Sequence, residues 1–258
     1  LIVEVYNKYR KNRIVEYARV IEGKLDKVEI TNEGDINDEE TDYLSIDVTG
    51  DGVSELMTLY NDGYKVFKMK CNDDYVFEKY SEGNEVSKNS YVFPNDFNGD
   101  GKADILYYET SRQWRITFSK GVGFSSPNTC TNTNLLRTVM LSSRDRYRYS
   151  LKELQEPSVT IRTGDFDGDG VADVGVFKDE AGNHYLMVGF KPFVKTDNTC
   201  VFTKERRYYM PINYSHQTVQ IGRFLSQENV SILSGLPRNP LSSQKAYITS
   251  LYPQSSYY

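Results

Sequence analysis

The sequence predicts an all-β protein, and three observations support this fold class. Aromatic residues make up 13% of the 258 residues, with 21 Tyr and 12 Phe, and their rings pack well on the pleated surface of a sheet. Short apolar segments alternate with clusters of Gly, Asp and Asn, which supply the tight turns of hairpins. Helical periodicity is almost absent, and a short helix is expected only within 134–154.

The first 45 residues are expected to form strands and an acidic connector. Residues 2–6 and 13–31 are apolar and β-branched enough to predict strands, and the second segment folds as a hairpin around Glu22-Gly23. Residues 32–42 are polar and acidic, which indicates a connector between this region and the rest of the chain.

Residues 1–258 are expected to form a single domain, in which 46–235 contain an internal repeat and 236–258 form a tail or a closing strand. The pattern of the repeat is D-x-[D/N/T]-G-D-G-x-x-[D/E], followed by an apolar strand. Three intact copies, here named loops 1, 2 and 3, span Asp47–Glu55, Asp96–Asp104 and Asp165–Asp173. A fourth copy, which begins at Arg223, keeps the apolar strand but has lost the carboxylates.

The spacing of the copies predicts the architecture. They start at positions 47, 96, 165 and 223, so the intervals are 49, 69 and 58 residues, and the longest one contains an insertion at 125–158. Repeats of this size fit the four-stranded blades of a β-propeller. We therefore expect a β-propeller, or the major part of one, with acidic hairpin loops.

The loop pattern suits a calcium ion. Side chains at positions 1, 3 and 5 point inward when glycines at positions 4 and 6 take positive φ, which costs glycine nothing. The carbonyl of position 7 and the carboxylate of position 9 complete a cage of hard oxygen ligands, of which Ca²⁺ takes about six to eight. Mg²⁺ fits less well because it demands octahedral geometry. We expect up to three bound Ca²⁺ ions.

The loop pattern has two alternative interpretations. An EF-hand loop carries a bidentate Glu at position 12 and enters a helix, whereas position 12 here is Thr58, Tyr107 or Val176 and a strand follows. The EF-hand interpretation is therefore rejected. An acidic hairpin turn without metal remains the alternative, most of all for loop 1, whose position 3 is Thr49.

The loops resemble the FG-GAP, or VCBS, repeats of integrin alpha chains and of many bacterial surface and secreted proteins, over about 47–233. In that family each repeat is a propeller blade, and the loop joins its first two strands on one rim. Residues 96–126 are also similar to blades of bacterial Tc-toxin B components and Rhs-type proteins, where the propeller belongs to a large secreted shell. The resemblance implies the following ligands: Asp47, Thr49, Asp51, the Val53 carbonyl and Glu55 in loop 1; Asp96, Asn98, Asp100, the Lys102 carbonyl and Asp104 in loop 2; Asp165, Asp167, Asp169, the Val171 carbonyl and Asp173 in loop 3.

The net charge and the hydropathy of the chain exclude two classes of partner from the expectation. The net charge of −5 gives no electrostatic footprint for nucleic acid, and three bound divalent ions would change it to +1. No apolar run approaches the ~18 residues of a transmembrane helix, so membrane insertion is not expected.

Cys71, Cys130 and Cys200 are too few and too irregular for a disulfide framework; one bridge, such as Cys130 to Cys200, and unpaired thiols both remain open. The chain begins at Leu1 without a signal-peptide pattern, and we expect a mature chain or, in preference, an excised fragment.

Little in the sequence indicates catalysis. His184 and His216 are the only histidines, and there is no HExxH or G-x-S-x-G motif. We expect a non-enzymatic, calcium-stiffened scaffold whose rim recognises a protein partner, on a cell surface or in a secreted assembly. Glycan binding through surface Tyr and Trp114 is the alternative. A polysaccharide lyase is a lesser one, because some lyases resemble this architecture.

Overall fold

The structure is a computed structural model, and it describes most but not all of the chain. The described residues are 2–7, 12–21, 24–28, 31–32, 42–71, 75–109, 111, 113–131, 159–166, 168–180, 183–190, 192–194, 200–202, 206–209, 218–222, 231–235 and 247–250. The segment 134–154, where a short helix is expected, lies outside them. None of the described residues forms a helix that could cross a membrane.

The described residues form strands and no helix, so the predicted all-β class is confirmed. The strands are β1 Ile2–Asn7, β2 Asn12–Ile21, β3 Lys24–Val28, β4 Thr31–Asn32, β5 Asp42–Ile46, β6 Glu55–Leu59, β7 Tyr64–Cys71, β8 Tyr75–Gly83, β9 Tyr91–Asn95, β10 Asp104–Tyr108, β11 Trp114–Thr117, β12 Asn128–Thr131, β13 Val159–Gly164, β14 Asp173–Glu180, β15 Asn183–Phe190, β16 Pro192–Val194, β17 Cys200–Phe202, β18 Arg206–Tyr209, β19 Thr218–Gly222, β20 Ser231–Gly235 and β21 Tyr247–Ser250.

These strands are arranged mostly as antiparallel meanders. The sheet orders are β1-β2-β3, β4-β8-β7-β6-β5, β16-β17-β12-β11-β10-β9, β13-β14-β15-β18 and β19-β20-β21. Two short pairs are parallel, β4 with β8 and β12 with β17. The expected N-terminal hairpin is present, since Ile21 pairs with Lys24 across Glu22-Gly23.

The acidic loops join their strands in one register. In loops 1 and 3 the residue before position 1 pairs with position 9, as Ile46 does with Glu55 and Gly164 with Asp173. The decayed fourth copy keeps this register, because Gly222 pairs with Ser231. Its loop, 223–230, lies outside the described residues. The repeat found in the sequence is therefore also a repeat of strand pairing.

The chain divides into two compact units. Unit 1 contains 1–94, 100–111 and 117–127, and unit 2 contains 95–99, 112–116 and 128–258. In unit 1 the strands that follow loops 1 and 2, β6 and β10, are buried at all five positions. The core of unit 1 is a cluster of aliphatic and aromatic side chains: Ile46, Val48, Met57, Leu59, Tyr64, Val66, Val86, Val92, Ile105, Tyr107 and Phe124.

Buried side chains of unit 2 include Phe97, Trp114, Ile116, Cys130, Ile161, Phe166, Val174, Cys200 and Phe202. Trp114 is 0% exposed, so the prediction that it lies on the surface is wrong. It alternates with the partly exposed Arg115, and the same period of two directs Ile116 to the buried side.

Candidate metal centre

Loop 1 is shaped by hydrogen bonds from its backbone to its own carboxylates. The Gly50 amide donates to Asp47 Oδ1 at 2.7 Å, and the Gly52 amide donates to Asp47 Oδ2 at 2.9 Å. The Val53 amide donates to Asp51 Oδ1 at 2.9 Å. The carboxylate at position 1 thus accepts hydrogen bonds from the amides of positions 4 and 6, and the carboxylate at position 5 accepts one from the amide of position 7. These bonds close the turn and fix two of the predicted ligand side chains.

The same scheme recurs in loops 2 and 3, where the amide of position 4 donates to position 1 and the amide of position 7 to position 5. The pairs are Gly99 to Asp96 and Gly168 to Asp165 at 2.7 Å, Lys102 to Asp100 at 2.9 Å, and Val171 to Asp169 at 3.0 Å. The glycines at positions 4 and 6 of all three loops have φ between 75° and 86°. This left-handed conformation is the one for which the pattern predicts glycine.

Each loop is anchored by a buried side chain at position 2. Val48 is 0% exposed, and Phe97 and Phe166 are also buried. The amide of position 2 donates to the position 9 carboxylate in two loops, from Val48 to Glu55 Oε2 at 2.8 Å and from Phe166 to Asp173 Oδ2 at 3.1 Å. Burial of a carboxylate is costly unless it is hydrogen-bonded, so these amides stabilise the position 9 acids in place.

In loop 2 the position 9 carboxylate accepts a hydrogen bond from a residue that follows β11. Asp104 is 0% exposed, and its Oδ1 accepts a hydrogen bond from the Ser119 amide at 2.8 Å. The Ser119 hydroxyl in turn donates to the Val48 carbonyl of loop 1 at 2.6 Å. Within unit 1, Ser119 therefore bonds to Asp104 at position 9 of loop 2 and to Val48 at position 2 of loop 1.

The predicted ligands of loop 1 converge. One oxygen from each of Asp47, Asp51 and Glu55 lies within 4.8 Å of the others. Two ligands of one Ca²⁺ are at most about 5 Å apart, because each lies roughly 2.3–2.6 Å from the ion. The Thr49 hydroxyl joins the group by donating to Glu55 Oε1 at 3.3 Å. Four of the five predicted ligand residues of loop 1 are thereby brought together.

A lysine that the pattern did not predict lies at loop 1. Lys68 on β7 places Nζ 3.4 Å from Glu55 Oε1 and 3.6 Å from Asp51 Oδ2, and 4.7 Å from the centre of the Tyr80 ring. Burial acts to lower the pKa of Lys68, but the charges of Glu55 and Asp51 outweigh it and the pKa is raised. The Lys68 ammonium thus provides loop 1 with a cation of its own.

The pKa of Asp51 is lowered from its usual value. The hydrogen bond from the Val53 amide is the largest cause, followed by the Thr49 hydroxyl, and the positive charge of Lys68 adds to them. Asp51 is therefore held ionised, as a metal ligand must be. Loop 2 also has a cation beside its position 5 carboxylate, since Lys102 Nζ lies 2.9 Å from Asp100 Oδ2. In loop 2 this cation comes from position 7 of the loop itself.

Position 8 links one loop to the preceding loop. The Ala103 amide of loop 2 donates to the Asp47 carbonyl of loop 1 at 2.7 Å, within unit 1. The Ala172 amide of loop 3 donates to the Asp96 carbonyl at the same distance, within unit 2.

A Cβ at Gly50 would lie 3.0 Å from the Gly101 carbonyl oxygen, so position 4 of loop 1 requires glycine for close approach as well as for φ. No single-loop pattern contains this contact.

The remaining predicted ligands have the following placement. In loops 2 and 3 the carboxylates of positions 1 and 5 bind backbone amides, and those of position 9 are buried. Asp167, at position 3 of loop 3, lies outside the described residues. The carbonyls of Val53, Lys102 and Val171 stay predictions as ligands.

Comparison with known proteins adds little to this geometry. No protein-family model and no curated protein matches the chain. Among solved structures it is similar to a lectin from Agrocybe aegerita, whose structure concerns specific recognition of non-reducing terminal N-acetylglucosamine. The sequences are 13% identical, the TM-score is 0.48, and the match covers 97% of this chain. The chain spans 65% of the length of that lectin chain. A likeness at this level carries no conclusion about fold or function.

Proposed function

We propose that the chain is a calcium-binding scaffold of the FG-GAP or VCBS type. The observation that carries the proposal is the convergence of Asp47, Asp51 and Glu55 within 4.8 Å on a turn whose backbone scheme recurs in loops 2 and 3. One such cluster is a common surface feature. A scheme repeated three times, with the same glycines and the same buried position 9 acid, favours a shared ligand.

Charge balance supports a divalent ion at loop 1. Three ionised carboxylates in a small volume repel one another, and the single ammonium of Lys68 leaves an excess of two negative charges. One Ca²⁺ would neutralise that excess. The oxygen-only donor set also favours a hard cation over zinc, which is typically bound by nitrogen and sulfur ligands.

We further propose that the sheets are propeller blades. Support comes from the meanders β5 to β8 and β13-β14-β15-β18, each of which begins with a strand, an acidic loop and a second strand. The bond from position 8 to position 1 of the preceding loop suits consecutive blades whose loops share one rim. The three-stranded sheets β1-β2-β3 and β19-β20-β21 would supply further blades.

Calorimetric titration of the decalcified protein with CaCl₂ tests the metal. We expect up to three binding events, and Glu55→Gln should remove one because it takes the charge from a buried ligand of loop 1. Asp62→Asn is the matched control, because Asp62 is an exposed acid in the β6–β7 turn, away from the loops. Absence of any calcium heat in the unmodified protein would overturn the proposal.

The rim with the loops is proposed to recognise a protein partner outside the cytoplasm, without turnover of a substrate. Val53 of loop 1 and Val122 are exposed at 66% and 60%, the large hydrophobic side chains most open to solvent among the described residues. Val122 lies in the turn that follows Ser119, the residue bonded to the Val48 carbonyl. Apolar side chains beside the loops are suited to contact with another protein.

A partner captured from the native source should bind the protein less tightly after Val122→Asp. The matched control is Asn61→Asp, which adds the same charge in the β6–β7 turn, at the opposite end of β6 from loop 1. A glycan array and an assay with acidic polysaccharides serve as the contrary tests. Selective glycan binding would favour the lectin alternative, and calcium-dependent polysaccharide cleavage would favour a lyase.

A further inference from the structure

Two of the three cysteines face each other across a pair of strands. β12 and β17 run parallel in unit 2, and their register pairs Cys130 with Cys200 and Thr131 with Val201. The Thr131 hydroxyl donates to the Cys200 carbonyl at 3.2 Å, which reinforces this short pairing. Neighbouring strands lie about 4.8 Å apart, within the range of roughly 4.4–6.8 Å between Cα atoms that a disulfide spans.

The two side chains also lie on the same face. Along β12 burial alternates, with Asn128 and Cys130 buried and Thr129 and Thr131 exposed. Along β17, Cys200 is buried, 0% exposed, and Val201 is not. Because paired residues of neighbouring strands project to one face of a sheet, both thiols enter the same buried layer.

The thiols interact directly. Burial raises the pKa of Cys130 far above its usual value, and a hydrogen bond with the Cys200 thiol raises it further. Both cysteines are free thiols in this structure. A buried cysteine on its own behaves as a small hydrophobic residue, but two in register and in contact have the arrangement that oxidation requires.

We propose that Cys130 and Cys200 form a disulfide that links β12 to β17, and that it forms while the chain folds. The oxidant is a disulfide donor, either a small molecule such as oxidised glutathione or a protein disulfide. The thiolate of one cysteine attacks the donor and releases one donor thiol, and the second cysteine then attacks the mixed disulfide and releases the other. Two cysteine thiols are oxidised by two electrons, and the donor is reduced by two.

The timing follows from burial. The thiolate is the attacking species, and the raised pKa of Cys130 makes its thiolate scarce in the folded protein. A donor molecule also has little access to the buried side chains of Cys130 and Cys200, which are 6% and 0% exposed. The exchange is therefore fast before β17 pairs with β12 and slow afterwards, so that the redox state of the folded protein reports the environment in which it folded.

The bridge would have a structural effect because it closes a long loop. The segment from Cys130 to Cys200 contains the four strands β13 to β16 and the whole of loop 3. β17 has only three residues, and the pairing with β12 is short. A covalent link at this point restricts the unfolded chain most when the closed loop is long, and we expect a rise in melting temperature of about 10 °C.

Refolding in a redox buffer tests the proposal. The full chain is unfolded in guanidinium with a reductant, then refolded with calcium and oxidised and reduced glutathione, and alkylated under denaturing conditions. Peptide mapping should find the Cys130 and Cys200 peptides linked, with the mass of two hydrogens lost and Cys71 alkylated. Reduction should lower the melting temperature by about 10 °C, and Cys71→Ser should leave both results unchanged.

Two further measurements complete the test. The folded, reduced protein should react with oxidised glutathione at least about 100-fold more slowly than the unfolded chain. Cys200→Ser and Cys200→Ala should each abolish the link. The proposal is overturned if Cys130 and Cys200 are both alkylated after oxidative refolding, if either is linked to Cys71 instead, or if folded and unfolded chains oxidise at the same rate.

Discussion

Loops 1 and 3 share a backbone but differ in charge. Both have glycines of positive φ at positions 4 and 6, the same amide bonds to positions 1 and 5, and a buried acid at position 9 held by the amide of position 2. Loop 3 carries four carboxylates in its sequence, whereas loop 1 has Thr49 at position 3 and the Lys68 ammonium beside it. The shape of the turn is therefore encoded by the loop residues themselves, while its charge depends partly on residues of other strands.

Chelation of calcium acts on the site that both loops share. A ligand that binds only the folded state at ~100 times its dissociation constant stabilises the protein by about 2.7 kcal/mol per site. Two or more sites should therefore give a melting temperature at least about 10 °C lower in excess chelator than in excess calcium. Addition of Mg²⁺ in place of calcium should restore little of the loss. Superimposable thermal unfolding curves with and without chelator would contradict a structural role for the ion.

The number of carboxylates in each loop helps to set its calcium affinity, and the three loops differ at position 3. Loop 3 should bind calcium most tightly, loop 2 next and loop 1 least. The residue at position 3 is Asp167 in loop 3, Asn98 in loop 2 and Thr49 in loop 1, so only loop 3 has a carboxylate there. In a calorimetric titration, Asp169→Ala should remove the tightest site and Asp51→Ala the weakest. The equivalent substitution in loop 2 is Asp100→Ala, which should remove the intermediate site. If Asp51→Ala weakened the tightest event and Asp169→Ala did not, the ranking would be wrong.

The part of the molecule that was predictable from the sequence is the part encoded by neighbouring residues. The N-terminal hairpin around Glu22-Gly23, the strand after each loop and the positive φ of the loop glycines follow from turn chemistry and apolar patterning. The apolar strand after 223 identifies the decayed copy, and the pairing of Gly222 with Ser231 agrees with it. The propeller ring, the calcium and the partner stay predictions.

What could not be predicted depends on strand register between distant segments. Lys68 approaches Glu55 because Phe67 pairs with Leu56, and nothing in the loop pattern contains that pairing. The bond from Ala103 to the Asp47 carbonyl joins residues of different repeats. Trp114 differs, because the alternation of Trp114 and Ile116 with Arg115 already placed the indole on the buried face. At Trp114 the strand period is therefore a stronger signal than the residue type.

A substitution at Lys68 should have a smaller effect, because it removes only the ammonium that β7 places beside loop 1. Lys68→Met keeps the long apolar stem beside Tyr80 and removes the ammonium that lies 3.4 Å from Glu55 Oε1 and 3.6 Å from Asp51 Oδ2. Calcium would then bind the same carboxylates without a competing cation. Ion pairs that are partly open to solvent contribute up to about 1 kcal/mol, so the calcium affinity of loop 1 should rise about fivefold.

Two features distinguish this effect from a general change in net charge. Lys70→Met is the matched control, because Lys70 lies on the same strand but pairs with Glu78 of β8, and it should leave the affinity nearly unchanged. The gain from Lys68→Met should also shrink as salt is raised, since mobile ions screen the ammonium in the unmodified protein. Without calcium, Lys68→Met should be slightly less stable, because the three carboxylates of loop 1 lose a neighbouring cation. An affinity that falls, or that rises equally in both variants, would mean that Lys68 supports the site rather than competes for it.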